Sequence, residues 1–424
     1  MSFLRSSLAV ILLLLSCSAS HAAPVRTGAQ VLAEDGFSLL RGKKFALLTN
    51  ATARVGGSHI LDLMAAAGVM PALLMVPEHG LKGAAEDGVH VGNSVHMDIP
   101  VISLYGDHKK PRRQDLREID LLVFDIQDVG ARFYTYISTM GLAMQGAAEA
   151  GVPFMVLDRP NPLGGEYVAG FVREKEFSSF TALYPVPVAH GMTVGEMAMM
   201  VRGEEMLPGL QQLDLTVVRM EGWERGMRWP DTGLAWTPTS PNVPDFETAL
   251  LYAGTGLLEA TSASEGRGTR EPFKLAGLPA VDGSKLAEEL NALKLPGLRF
   301  EPATFTPAAI PGMSSTPKFR NRAVSGVRVT VTDHRSVRPV ETGVSLLCAL
   351  YGAVPAQRQS FFRRGLGEMA GSRLLQRSVE KGLSGEEIAA LWGGEVAAFR
   401  KARDRYLLYG NGRKTLDAAA AEGR

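Results

Sequence analysis

The chain has 424 residues, 46% hydrophobic and 21% charged, which excludes collagen-like, coiled-coil and wholly disordered chains and implies at least two domains. Lys and Arg number 45 against 44 Asp and Glu, so no general attraction to nucleic acid or an anionic membrane is built in, and an acidic ligand has to be met by locally placed cations. At the N-terminus Arg5 precedes an apolar run over residues 8–15, and small residues lead to Ser20-His21-Ala22. This pattern predicts a Sec-type signal peptide over residues 1–22, too short to stay as a transmembrane helix, and therefore export to the periplasm or the cell exterior. Leu14-Leu15-Ser16-Cys17 also resembles a lipoprotein cleavage box, the alternative in which Cys17 carries a lipid anchor. Without that segment Cys348 is the sole thiol, which excludes an internal disulfide and a Cys-based zinc site.

From Lys43 onward short apolar runs alternate with helical patterns. Residues 45–48 read as a strand closed by Thr49-Asn50, and Ser58 as the cap of a helix through Ala67 that Gly68 ends. Strands follow at 72–76, 101–104 and 119–125, then a small-residue helix at 135–150 and a strand at 154–157. Runs that are apolar throughout, separated by helices, predict a parallel sheet covered on both faces. Residues 23–274 are thus read as a Rossmann-like α/β domain. A rigid proline-rich loop around Trp236 and a helix over 245–258 follow, and from about Leu275 the pattern changes. An alternating strand at 327–332 and an amphipathic helix at 382–402 predict a second, smaller α+β domain, 275–424, that closes a cleft against the first.

Polar residues gather where the strands end, the edge at which open parallel sheets bind ligands. These are Asn50, then Glu78 and His79, then Tyr105, then Asp125, Asp128 and Arg132, then Asp158, Arg159 and Asn161. One rim would collect four carboxylates. Nucleotide chemistry does not fit, because neither G-x-G-x-x-G after the first strand nor G-x-x-x-x-G-K-[ST] occurs. Serine hydrolysis has no G-x-S-x-G, and the S-x-x-K of Ser315-Thr316-Pro317-Lys318 contains a proline where a helical turn would be needed. His79, Glu86, Asp87, His90 and His96 lie close together, but without H-E-x-x-H they do not fall one helical turn apart, so no metal and no cofactor are expected. Paired carboxylates remain, as glycoside cleavage requires. Glu78, between an apolar strand and His79-Gly80, is the preferred proton donor, since burial there would favour its protonated form. Glu265, Asp125 and Asp128 are candidates for its partner, and Trp236, Tyr105, Phe133 and Tyr134 are candidate faces for a sugar ring.

Several long motifs, in order, carry a family resemblance: Pro77-Glu78-His79-Gly80, Ser103-Leu104-Tyr105-Gly106, the run from Phe124 to Tyr136, Leu157 to Gly165, His190-Gly191-Met192-Thr193, Ser240-Pro241-Asn242 and Ser264-Glu265-Gly266-Arg267-Gly268-Thr269. Together they resemble the family first catalogued as domain of unknown function 1343, the exo-acting β-N-acetylmuramidases of the NamZ type in glycoside hydrolase family 171. The resemblance implies a Rossmann-like domain with a second domain across a cleft, and release of N-acetylmuramic acid from the non-reducing end of peptidoglycan fragments. By motif it implies Glu78 as catalytic acid and Glu265 as second carboxylate, with Asp125, Asp128, Arg132, His79 and Asn242 lining the cleft. The lactyl carboxylate of such a substrate needs a fixed arginine in a chain of neutral balance. Arg267, flanked by glycines, is the first candidate, and Arg132 or Arg159 the second unless these pair with Asp128 and Asp158. A non-catalytic muropeptide-binding protein and a cell-wall esterase or amidase are the alternatives.

Overall fold

Four apolar residues in a row followed by Thr49, all fully covered, give β1 (Phe45–Thr49) at the centre of a seven-stranded sheet. The computed structural model describes residues 23–410 except 87, 90, 91 and 107, so the signal segment, Cys17, Asp87 and His90 lie outside the described residues. The remaining strands are β2 (Leu73–Val76), β3 (Ser94–His96), β4 (Ile99–Ser103), β5 (Leu121–Asp125), β6 (Phe154–Leu157) and β7 (Leu215–Val218). Their order is β3-β4-β2-β1-β5-β6-β7, parallel throughout except for β3, which folds back on β4. Helices α1 (Gly28–Glu34), α2 (Ile60–Ala66), α3 (Tyr136–Ala150) and α4 (Val194–Gly203) connect and cover the strands. As expected for a sheet hidden on both faces, β1, β2, β5 and β6 expose nothing.

Local chemistry sets the helix ends. The α2 helix is capped by His59 rather than Ser58, with Asp62 completing a capping box, and Thr193 with Glu196 does the same for α4. Gly151, in the left-handed region, stops α3. Helix α5 (Phe246–Thr255) then runs into a 3-10 turn, Gly256–Ala260.

The second part of the chain builds a three-stranded antiparallel sheet in the order β8 (Leu275–Leu278), β10 (Val324–Val331), β9 (Leu298–Phe305). Helix α6 (Gly283–Ala292) packs on it, α7 (Pro339–Gly352) packs against α6, and α7 crosses α5 so closely that a Cβ on Gly254 would sit 1.8 Å from the Pro339 carbonyl oxygen. Four shorter helices follow: α8 (Leu366–Ala370), α9 (Leu374–Glu380), α10 (Gly385–Leu391) and α11 (Gly393–Arg403). The single amphipathic helix expected over 382–402 is two helices, because Ser384 caps a new start and Gly393-Gly394 interrupts the run. The chain then returns to the first domain, where the Tyr409 hydroxyl donates to Asp158 at 2.6 Å and the Leu408 N–H to Glu196 at 2.9 Å.

Candidate active site

The sheet order reverses between β1 and β5, the place where open α/β sheets ordinarily hold a ligand. Here the crevice is filled by protein. Asp125, at the end of β5, is fully buried and receives Arg159 Nε at 2.5 Å and Nη2 at 3.0 Å, with Arg159 itself 4% exposed. Beside it Asn50 Oδ1 accepts from the Thr52 N–H and hydroxyl, and the Thr52 hydroxyl accepts the Gln127 N–H. Asp125 and Arg159, expected as catalytic and substrate-binding groups, are therefore a mutually satisfied brace of the rim. Arg159 was expected to pair, if at all, with Asp158. It reaches Asp125 instead because β5 and β6 are neighbours in register.

Three other rim residues are likewise turned inward. Asp158 accepts the N–H groups of Arg159 and Gly195 and the hydroxyls of Thr193 and Tyr409, and burial pushes its carboxyl up to about 7. Asp128 accepts the Gly130 N–H at 2.6 Å, has no partner at Oδ1 among the described residues, and is also pushed up to about 7 by burial. Arg132, wholly buried and drawn down to about 9, donates to the carbonyls of Phe171, Val186 and Met369 rather than to Asp128. Asn242 donates to the Met313 carbonyl at 2.7 Å, Tyr105 meets Phe180 with ring centroids 6.3 Å apart, and Trp236 packs on Trp229 at 4.9 Å. None of Asp125, Asp128, Arg132, Arg159, Asn242, Tyr105 and Trp236 is among the residues that line the cavity described next.

The cavity lies one strand over, beyond β2. Glu78 and His79 leave that strand into a tight turn in which His79 and Gly80 both have φ of 70°. Glu78 is 9% exposed, and two neutral donors hold it: the Thr135 hydroxyl at the start of α3, 2.8 Å from Oε2, and the Gly88 N–H, 3.0 Å from Oε1. His79 Nδ1 lies 2.7 Å from the Ala85 carbonyl oxygen and closes the loop on itself. The opposite wall is the 3-10 turn after α5 and the loop to Thr269. Gly266 and Gly268 take φ near 80°, and a Cβ on Gly268 would sit 2.6 Å from the Ala308 carbonyl oxygen, so only glycine allows this approach. Between them Arg267 donates from Nε and Nη2 to Glu259 Oε1 at 2.9 and 2.6 Å and rides 5.1 Å above the Phe273 ring. Glu265, 3% exposed, sits behind this layer and, like the rim acids, does not itself line the cavity, with Oε1 3.8 Å from Arg267 and Oε2 2.7 Å from Lys318 Nζ.

Glu78, Thr135, Ser240, Glu259 and Arg267 thus share a cavity of about 200 Å³ whose apolar wall is Phe133, Tyr134, Tyr252 and Phe273. Phe133 and Tyr134 were among the expected sugar faces. Thr135, Glu259 and Tyr252 are not among the candidates drawn from the sequence, and Lys318 enters there only through the S-x-x-K run weighed for serine hydrolysis. Glu259, six residues before Glu265, was read only as part of a helix, and its position at the helix end just before the glycine-flanked loop was the available signal. A larger groove of about 800 Å³ runs past Val168, Trp392 and Arg400, but its Glu341 is tied to Arg338 and to the Tyr167 hydroxyl. The smaller cavity joins an acid held by neutral donors to an acid and arginine on the facing wall. His96 is on β3 and Glu86 binds Ser315, so these two members of the histidine-rich segment do not gather around His79.

The family model described as Exo-beta-N-acetylmuramidase NamZ, N-terminal, matches residues 45–247, and its C-terminal counterpart matches residues 250–409, the two meeting inside α5. The chain belongs to the NamZ family. It is 40% identical over 389 residues to the peptidoglycan β-N-acetylmuramidase NamZ of Bacillus subtilis, covering 91% of each chain. Among solved structures it resembles two proteins from Bacteroides fragilis described as DUF1343 family proteins. One has a TM-score of 0.82 and 35% identity, the other 0.76 and 31%, and each match covers 91% of this chain and 99% of the other. The two family-model matches span the segments that carry Glu78 and Arg267 respectively.

Proposed function

We propose that this chain is an exo-acting glycoside hydrolase that releases N-acetylmuramic acid from the non-reducing end of peptidoglycan fragments. The observation that carries the reading, beside membership of the NamZ family, is the pairing across one small cavity of Glu78, held by the Thr135 hydroxyl and the Gly88 N–H, with Arg267 on the glycine-flanked loop opposite. Glu78 delivers a proton to the departing glycosidic oxygen. Glu265, which has a cation near each carboxylate oxygen, supplies the negative charge that the oxocarbenium-like transition state needs, as base, nucleophile or stabiliser. Arg267, held to Glu259 through Nε and Nη2, meets the lactyl carboxylate of the sugar, while the aromatic wall packs against the ring. The segment over residues 1–22 exports the protein to the periplasm or cell exterior, where this substrate is found; a lipid on Cys17 is the variant of that reading.

Incubation with a peptide-free glycan that ends in N-acetylmuramic acid, followed by mass spectrometry, tests the activity. Free N-acetylmuramic acid and a glycan shortened by one sugar are expected. An intact glycan that the protein binds would make it a binding protein, and loss of an acyl or peptidyl group would make it an esterase or amidase.

A further inference from the structure

The S-x-x-K run, without a role in serine hydrolysis, lies across the cleft. Ser315, from its N–H and its hydroxyl, donates to both oxygens of Glu86, on the loop that follows Glu78 and supplies the Gly88 N–H to it. Pro317 closes over Gly268. Lys318 enters the opposite wall from behind, and its ammonium has three partners: Glu265 Oε2 at 2.7 Å, the Leu258 carbonyl at 2.7 Å and the Ala263 carbonyl at 2.8 Å. The two carbonyls accept hydrogen bonds from the ammonium, and Glu265 meets it as an ion pair. Leu258 directly precedes Glu259, and Ala263 precedes Glu265 by two residues, so one side chain fixes the backbone on which both acids stand. The charged groups facing it are Glu265, Glu259 and Arg363, and burial, opposed by the two acids, draws it below the usual lysine range. Such a group is costly to bury for stability alone, since an apolar side chain would serve as well.

We infer that Lys318 is a positioning residue for the reaction: it holds Glu265 in place and gives it a fixed countercharge from outside the cavity, while Ser315, three residues earlier on the same strap, ties that wall to the loop bearing Glu78. Lys318 acts through Glu265 and touches no surface of the cavity, so its loss is felt in turnover rather than in sugar binding. The inference rests on the reading of Glu265 as the second catalytic carboxylate.

Lys318→Gln keeps N–H donors for the two carbonyls and removes the charge; Lys318→Met removes both. Steady-state kinetics on a muramic acid disaccharide are measured for these variants, for Glu265→Gln and for the double variant Lys318→Gln/Glu265→Gln, with thermal unfolding as the check on folding. Lys318→Gln is expected to lower kcat at least tenfold with KM within about twofold of wild type, the pattern of an interaction exerted in the transition state. The double variant is expected to be no slower than Glu265→Gln, because groups that act as a unit are not additive. Should Lys318→Met fail to fold, Lys318→Gln carries the test. A rise in KM with kcat kept, or additive losses in the double variant while Glu265→Gln is nearly inactive, would overturn the role of Lys318 and leave that of Glu265. A fully active Glu265→Gln would overturn both.

Discussion

The Asp125–Arg159 pair offers the sharpest separation between bracing and binding. Its two hydrogen bonds, at 2.5 and 3.0 Å, lie between side chains 0% and 4% exposed, so Arg159→Ala strands a carboxylate that water cannot reach. Breaking a buried pair from one side costs about 3–5 kcal/mol, most of it the desolvation of the charge left behind. At an m value of roughly 3 kcal/mol per molar urea this lowers the unfolding midpoint by about 1 to 1.7 M. Asp125→Leu combined with Arg159→Met removes both charges together and should recover much of the loss. Urea unfolding followed by tryptophan fluorescence reads both effects, and because no cavity wall is touched, kcat/KM under native conditions should stay within a few-fold of wild type. If Arg159→Ala unfolds within about 1 kcal/mol of wild type, as an exposed pair would, and instead loses activity selectively on sugars that carry the lactyl group, then Arg159 is the carboxylate clamp and the brace is refuted.

Arg267→Lys replaces a planar fork by a point charge, so activity on muramic acid glycosides should fall ten- to a hundredfold, from the roughly 1.5–3 kcal/mol of a charged hydrogen bond. The N-acetylglucosamine analogue should lose far less, and equal losses on both sugars would assign Arg267 to the loop alone. Asp128, pushed up to about 7 from 3.8, holds its proton in the folded state where the unfolded chain has released it. Its contribution therefore favours the fold below about pH 4 and is lost as pH rises to about 7, an effect of up to about 4 kcal/mol. His190, held down to about 3 by burial, works in the opposite direction below pH 6.5, so the quantity to measure is the difference between wild type and Asp128→Asn across pH 4 to 8. A difference that does not vary with pH would contradict the assignment. Because the histidine-rich segment lacks H-E-x-x-H spacing, activity should survive a strong chelator, and recovery of lost activity by zinc or manganese would rule that out.

Legibility followed range. Strand β6 has the bounds that its apolar run suggests, and α3 starts one residue late, because burial and helix punctuation are local properties. Strand β7 was missed: it is an edge strand with an exposed and two half-covered residues, so its sequence carries no continuous apolar run. In the site, Glu78 was readable because a strand end points it at the rim, and Arg267 because glycines on either side permit close approach. The rim acids share one ambiguity. Sequence position places Asp125, Asp128 and Asp158 at strand ends but does not tell inward from outward. Only the pairing of β5 with β6, which sets Phe124 across from Val156 and so brings Asp125 within reach of Arg159, turns one of them into a brace. Lys318 reaches Glu265 between loops far apart in sequence, and no local pattern announces such a partner.

The central claim is that Glu78 protonates the leaving oxygen, and the leaving-group dependence of Glu78→Gln tests it most directly. The amide keeps the shape and can still meet Thr135 but has no proton to give. Hydrolysis of an unactivated muramic acid disaccharide should slow at least about a hundredfold, the lower end of acid–base catalysis, while an aryl glycoside with a good leaving group should lose much less. Equal losses on both substrates would contradict the claim and point to Glu78 as base or nucleophile, and near-wild-type cleavage of the disaccharide would remove it from the chemistry.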